Sequence, residues 1–155
     1  MLYLDASLLI KRYGKEKGSR ALNARFERRE TIYTSVLSFG EVHAALARTY
    51  RMKEVNAREL LRLREAFESD WQIGLSTLDM NLHAMIALPK LVDQYPLKAA
   101  DAIHVSTAFW LKDTIGLRTG GARAGEYVEF GVADRRLGLI AQKCGLGVFN
   151  PEDED

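Results

Sequence analysis

Cysteine is almost absent: Cys144 is the only one in the chain. A lone thiol excludes an internal disulfide framework and suits a reducing, cytoplasmic setting. In a helical stretch it reads as a small core residue rather than a nucleophile. Histidine is scarce as well, and His43, His83 and His104 lack the spacing of metal ligands. No apolar run approaches the roughly 18 residues of a membrane span, so no membrane association is expected. Asp5 breaks the opening apolar run, which argues against a cleavable leader. There is no internal repeat, no low-complexity linker and no Ser-His-Asp pattern. There is no phosphate-cradling glycine loop either, since the pair Gly120-Gly121 stands outside a strand-to-helix context.

What is present is an ordinary globular composition. The 155 residues are 47% hydrophobic and 28% charged, enough for one domain with one sizeable core. That domain is expected to span 1–150, followed by a disordered acidic tail over 151–155. The net charge of +1 includes four acids at positions 152–155, so the rest of the chain carries +5. One segment is sharply basic: Lys11, Arg12, Lys15, Lys17, Arg20, Arg25, Arg28 and Arg29 stand against Glu16 and Glu27. It reads equally as a solvated helix face or as a surface for phosphates.

Apolar periodicity predicts strands at 2–5, 31–35, 72–76, 127–133 and 146–149. Helices are predicted at 6–13, 18–29, 37–51, 55–69, 79–93, 99–112 and 135–144, with a glycine-rich loop over 113–126. Strands alternating with helices imply an α/β fold of three α/β/α layers, in which a parallel sheet of four to five strands is covered on both faces. Such sheets place their chemistry outside the carboxyl ends of the strands.

Asp5 follows the first strand, in MLYLDASLL, and Asp134 follows the strand YVEFGVA. Asp101 opens the apolar helix KAADAIHVSTAFW, and Glu41 lies early in its helix, beside Gly40, Ala44 and Ala45, where small residues let a neighbouring helix come close. Each aspartate has a plain use as a helix cap, and Glu41 has partners at Arg48 or Lys53. Gathered at one sheet edge, however, four carboxylates would repel one another, and a divalent cation would resolve the conflict. Oxygen donors of this kind suit Mg²⁺ or Mn²⁺ rather than zinc.

The motifs LDAS, GEVHAAL, ADAIHVSTA and VADRRL, in this order and spacing, resemble those of PIN domains. Within that family the likeness is to VapC toxins of toxin–antitoxin pairs, and it covers residues 1–150. The resemblance implies a sheet of order 3-2-1-4-5 and a Mg²⁺- or Mn²⁺-dependent endoribonuclease, the toxin of a type II pair. It also implies a homodimer and a VapB-like antitoxin on a separate chain. It maps the acidic site onto Asp5, Glu41, Asp101 and Asp134, with Ser7 in support. The chain's positive charge would attract RNA, with Arg12, Lys15, Arg118, Arg123 and Arg135 as candidate phosphate contacts. Three other readings stand beside it. They are a solitary PIN nuclease in RNA processing, a non-catalytic RNA- or protein-binding module, and a phosphatase of the haloacid dehalogenase kind. The last wants an aspartate where this chain has Ser7.

Overall fold

The computed structural model describes residues 1–14, 16–28, 30–119 and 128–154. The elements in chain order are β1 (Leu2–Leu4), α1 (Ala6–Tyr13), α2 (Ser19–Glu27), β2 (Ile32–Ser35), α3 (Leu37–Arg51), α4 (Ala57–Ile73) and β3 (Ser76–Leu78). They continue with α5 (Leu82–Met85), α6 (Leu88–Gln94), α7 (Ala99–Thr119), β4 (Glu129–Gly131), α8 (Arg135–Lys143) and β5 (Gly147–Phe149). All strand pairs are parallel, in the order β3-β2-β1-β4-β5. This is the expected arrangement, with β1 at the centre.

The unbroken apolar run of β1 has a simple cause. Alternate residues of a strand point to opposite faces, and both faces of β1 are covered. Leu2 and Leu4 join a core with Leu8, Leu9, Leu22, Val42, Leu46 and Phe67, contributed by α1 to α4. Tyr3 joins a second core with Val105, Ala108, Phe130, Leu137 and Ala141, contributed by α7, β4 and α8. The sheet is thus the middle layer of three. On β4 the first face is closed by Gly131: a Cβ there would lie 2.6 Å from Leu4 Cδ2 and 3.1 Å from Leu8 Cδ1. Glycine lets β1 and α1 seat their leucines against the neighbouring strand.

Several elements differ from expectation, each for a local reason. The third strand is Ser76–Leu78 rather than 72–76, because α4 continues to Ile73 and stops at Gly74, whose N–H bonds back to Asp70 O. The single helix expected over 79–93 is two. Asn81 caps α5 through a bond from Ala84 N, and Pro89 in the first turn of α6 marks a fresh helix start. Residues 113–119, read as loop, extend α7; Gly116 faces open space there and is tolerated. The fourth strand is confined to Glu129–Gly131. A Cβ at position 40 would meet nothing within 4 Å, so Gly40 does not serve the close helix approach expected of it.

The acidic end is ordered through residue 154 rather than loose. Pro151–Asp153 form a 3-10 turn capped by Asn150, with Pro151 buried. Glu152 accepts from Lys11 Nζ at 2.8 Å and Asp153 pairs with Arg135 at 2.5 Å. The basic segment is likewise partly structural. Lys11 and Arg25 are buried, and Arg25 pairs with Glu30 and with Glu129. Among the described residues no helix is long and apolar enough to cross a membrane.

Candidate active site

Asp5 leaves β1 in extended conformation and caps α1, accepting a hydrogen bond from Leu8 N at 3.1 Å. Its backbone N–H bonds to Gly131 O of β4 at 3.2 Å, which fixes the position of the turn. The side chain does more than cap. Ser7 Oγ lies 2.7 Å from Oδ1 and 2.8 Å from Oδ2, so its single proton is shared between the two oxygens. The residue is only 6% exposed. Burial raises its pKa from 3.8 to about 6, outweighing the hydrogen bonds from Ser7 and Leu8; the nearby charge of Glu41 adds to the rise.

Glu41 projects from α3 and is half-buried. Its Oε2 accepts a hydrogen bond from His104 Nε2 at 2.8 Å. His104, on α7, is 2% exposed, and its Nδ1 meets the hydroxyl of Tyr3 on β1 at 3.0 Å. Helices from the two opposite layers therefore join over the carboxyl end of the central strand.

Asp101 lies in the first turn of α7, one turn before His104, and is half-buried. Among the described residues its carboxylate has no hydrogen bond or ion pair. Asp134 is exposed and caps α8, its Oδ1 accepting from Arg136 N at 2.8 Å and Leu137 N at 3.2 Å. β1 and β4 are neighbours, as expected, and the carboxylate whose charge adds to the rise at Asp5 is Glu41. Among the described residues no three His, Cys, Asp or Glu side chains close to metal-holding distances. The donor set nonetheless fits a hard cation: all four acids offer oxygen. Asp5 is also a desolvated carboxyl facing a second carboxylate, a conflict that a divalent ion relieves.

The cations expected to meet phosphate are differently placed. Arg12 is committed within the fold: Nε bonds Asp70 at 2.6 Å, one terminal nitrogen bonds Asn23 at 2.7 Å, and the guanidinium stacks 3.7 Å from the Phe26 centroid. Arg135 is exposed, beside Asp134, and pairs with Asp153. Arg118 lies on α7, while Lys15 and Arg123 fall outside the described residues. Burial pushes the Cys144 thiol up, in keeping with a packing role.

What reasoning from sequence missed is the part played by Tyr3 and His104. One signal was available: His104 follows Asp101 by three residues on an apolar helix, so the two share a face.

A five-stranded parallel sheet between two helical layers defines the class of the protein as a three-layer α/β/α domain. Residues 2–115 match the PIN domain family, and the chain belongs to it. Two curated relatives are Ribonuclease VapC45 from Mycobacterium tuberculosis strain CDC 1551 / Oshkosh and Ribonuclease VapC49 from strain H37Rv. Each is 29% identical over 115 residues, covering 73% of this chain and 78% of the relative. Among solved structures, FitAcB from Neisseria gonorrhoeae superposes with a TM-score of 0.68 at 16% identity, over 97% of this chain and 98% of that one. VapBC2 from Rickettsia felis, bound to a DNA fragment from their promoter, gives 0.62 at 11% identity over the same shares. At these identities the structural likeness concerns the fold.

Proposed function

We propose that this chain is a divalent-metal-dependent endoribonuclease of the VapC kind, the toxin of a toxin–antitoxin pair acting in the cytoplasm. Its partners are an RNA substrate, a VapB-like antitoxin and a second copy of the chain. The observation that carries the activity is the buried Asp5 carboxyl, pushed up to about 6 and facing Glu41 at the edge of a PIN-domain sheet. The ribonuclease names of the two curated relatives support the choice of RNA, and the toxin–antitoxin reading follows from the VapC and VapBC names.

Asp5, Glu41, Asp101 and Asp134 are the residues that would hold Mg²⁺ or Mn²⁺. The chemistry such an ion supplies is Lewis-acid stabilisation of charge at the phosphodiester and activation of water. The chain's own contributions are distinct. Ser7 and Leu8 N–H fix both oxygens of Asp5, so the first donor is set before any ligand arrives. Glu41, anchored on one oxygen by His104, keeps the other oxygen free to orient the attacking water or take its proton. Asp101 brings a half-buried carboxylate at the N-terminal turn of α7, without a competing partner among the described residues. Asp134 would contribute from the exposed rim, where Oδ1 caps α8 and Oδ2 has no hydrogen-bond partner among the described residues. Arg135 is the exposed cation placed to meet a phosphate.

The test is metal-linked. Mn²⁺ at about a hundred times its dissociation constant is expected to stabilise the fold by roughly 3 kcal/mol, read as a rise in melting temperature that a chelator reverses. Cleavage of single-stranded RNA should require the ion. A protein that is neither stabilised by Mn²⁺ nor active on a panel of structured RNAs is not a nuclease. Growth arrest on expression, relieved by the product of an adjacent small reading frame, separates a toxin from a solitary PIN nuclease.

A further inference from the structure

Asp5 and Glu41 are held by unrelated devices. Asp5 is fixed by its own neighbours, Ser7 and Leu8. Glu41 has no such local support: its α3 neighbour Gly40 stands in open space, and its long side chain is still partly exposed. Among the described residues its one hydrogen-bond partner is His104, which arrives from the opposite helical layer. We propose that His104, braced by Tyr3, is a positioning residue that fixes the Glu41 carboxylate toward Asp5; its consequence for cleavage rests on the nuclease reading above.

The bracing follows from the bonds. Both ring nitrogens of His104 are engaged, Nε2 with Glu41 at 2.8 Å and Nδ1 with Tyr3 at 3.0 Å. A carboxylate only accepts, so Nε2 carries the hydrogen that Glu41 receives. With the hydrogen on Nε2, Nδ1 is left as the acceptor, and the Tyr3 hydroxyl 3.0 Å away donates to it. The direction of the chain is then Tyr3 to His104 to Glu41, and the tautomer of the ring is set by its two partners.

The ring planes are fixed as well. Phe130 of β4 stacks on Tyr3, with centroids 5.7 Å apart and planes 14° from parallel. Tyr3 meets His104 edge-on at 6.0 Å and 68°. Tyr3 and Phe130 are completely buried. A column of three rings thus runs from β4 through β1 to α7 and ends on the carboxylate of α3. Glu41 takes its orientation from the sheet, through His104 and Tyr3, rather than from its own helix.

The experiment compares His104→Ala, His104→Asn, His104→Gln and Tyr3→Phe in the full chain. Glutamine places an N–H where the imidazole has Nε2, whereas asparagine reaches only as far as Nδ1. Mn²⁺ affinity, measured by calorimetry on the metal alone, and kcat on RNA should each fall about 10- to 100-fold in the alanine and asparagine variants. Glutamine should restore both to within about fivefold, and KM for RNA should hardly move. Tyr3→Phe, which keeps the ring stack, should fall between.

Unchanged Mn²⁺ affinity and kcat in His104→Ala overturn the proposal. So does equal loss in the glutamine and asparagine variants alongside an equal drop in metal-free melting temperature, which would mark a merely structural role. A wild-type chain that neither binds Mn²⁺ nor cuts RNA refutes the nuclease reading instead. The positioning role is then decided by the ¹³C carboxylate resonance of Glu41 in metal-free protein. That signal shifts in His104→Ala and returns in His104→Gln if the role is real, and stays put in both if it is not.

Discussion

Asp5 follows β1 and Asp134 follows β4, strands that lie side by side, and each accepts backbone N–H bonds at the start of the next helix. Their surroundings diverge from there. Asp5 is enclosed, shares a serine proton between its two oxygens and stands near a second carboxylate. Asp134 is exposed and its hydrogen bonds are those of the cap. Both carboxylates cap a helix, and what separates the two positions is desolvation and the identity of the neighbours.

The sharpest way to break this contrast is by isosteric amides. Asn caps a helix as well as Asp does, so Asp5→Asn should leave the fold intact while cleavage falls by at least about 10³-fold. Asp134→Asn should cost less than about tenfold. Equal losses measured on one RNA would erase the distinction.

The next effect is in stability against pH. Asp5 holds its proton up to about 6 when folded, against an ordinary value of 3.8. Between those values the native state binds a proton that the unfolded chain has released, so the contribution of Asp5 to metal-free stability falls as pH rises from about 4 to about 6. The full drop is on the order of 3 kcal/mol, read from urea unfolding across that window. Asp5→Asn should remove this component from the curve.

Smaller effects test the frame that sets the two aspartates side by side. Gly131→Ala would press a methyl group into Leu4 and Leu8 and should cost about 1–3 kcal/mol in chemical denaturation. Asp134→Ala removes the cap of α8 and should cost about 1 kcal/mol in stability. Activity should fall more in Gly131→Ala than in Asp134→Ala, because Gly131 O also receives the Asp5 N–H.

Much of this was legible in the chain. The apolar run of β1, followed by an acid and small residues, announced a doubly covered strand with a carboxylate at its end. The strand order came with the family likeness and agrees with the observed pairing. Boundaries were harder where one residue type has two uses. Ile73 and Leu75 flank Gly74 and read as strand, yet Ile73 is an exposed end of α4. Gly116 suggested a loop, although a glycine on an open helix face costs only about 1 kcal/mol. Within the candidate site, the strand ends and helix starts pointed to the four acids and the likeness mapped onto them, but neither gave a reason for one to be buried and another exposed. The Tyr3–His104–Glu41 chain joins residues from three distant segments, and no local pattern reveals such a contact.

The pairing of Leu2 with Glu129 also bears on how the chain is made. Within this sequence β1 is synthesised long before β4, one of its two partners. At roughly 5–20 residues per second, β1 waits on the order of ten seconds for β4 to emerge. During that interval β1 has one unpaired edge, Tyr3 lacks the ring it stacks on, and Asp5 lacks the carbonyl that anchors its N–H. A nascent chain therefore cannot fix the turn at Asp5, or the ring stack beneath it, until β4 has emerged.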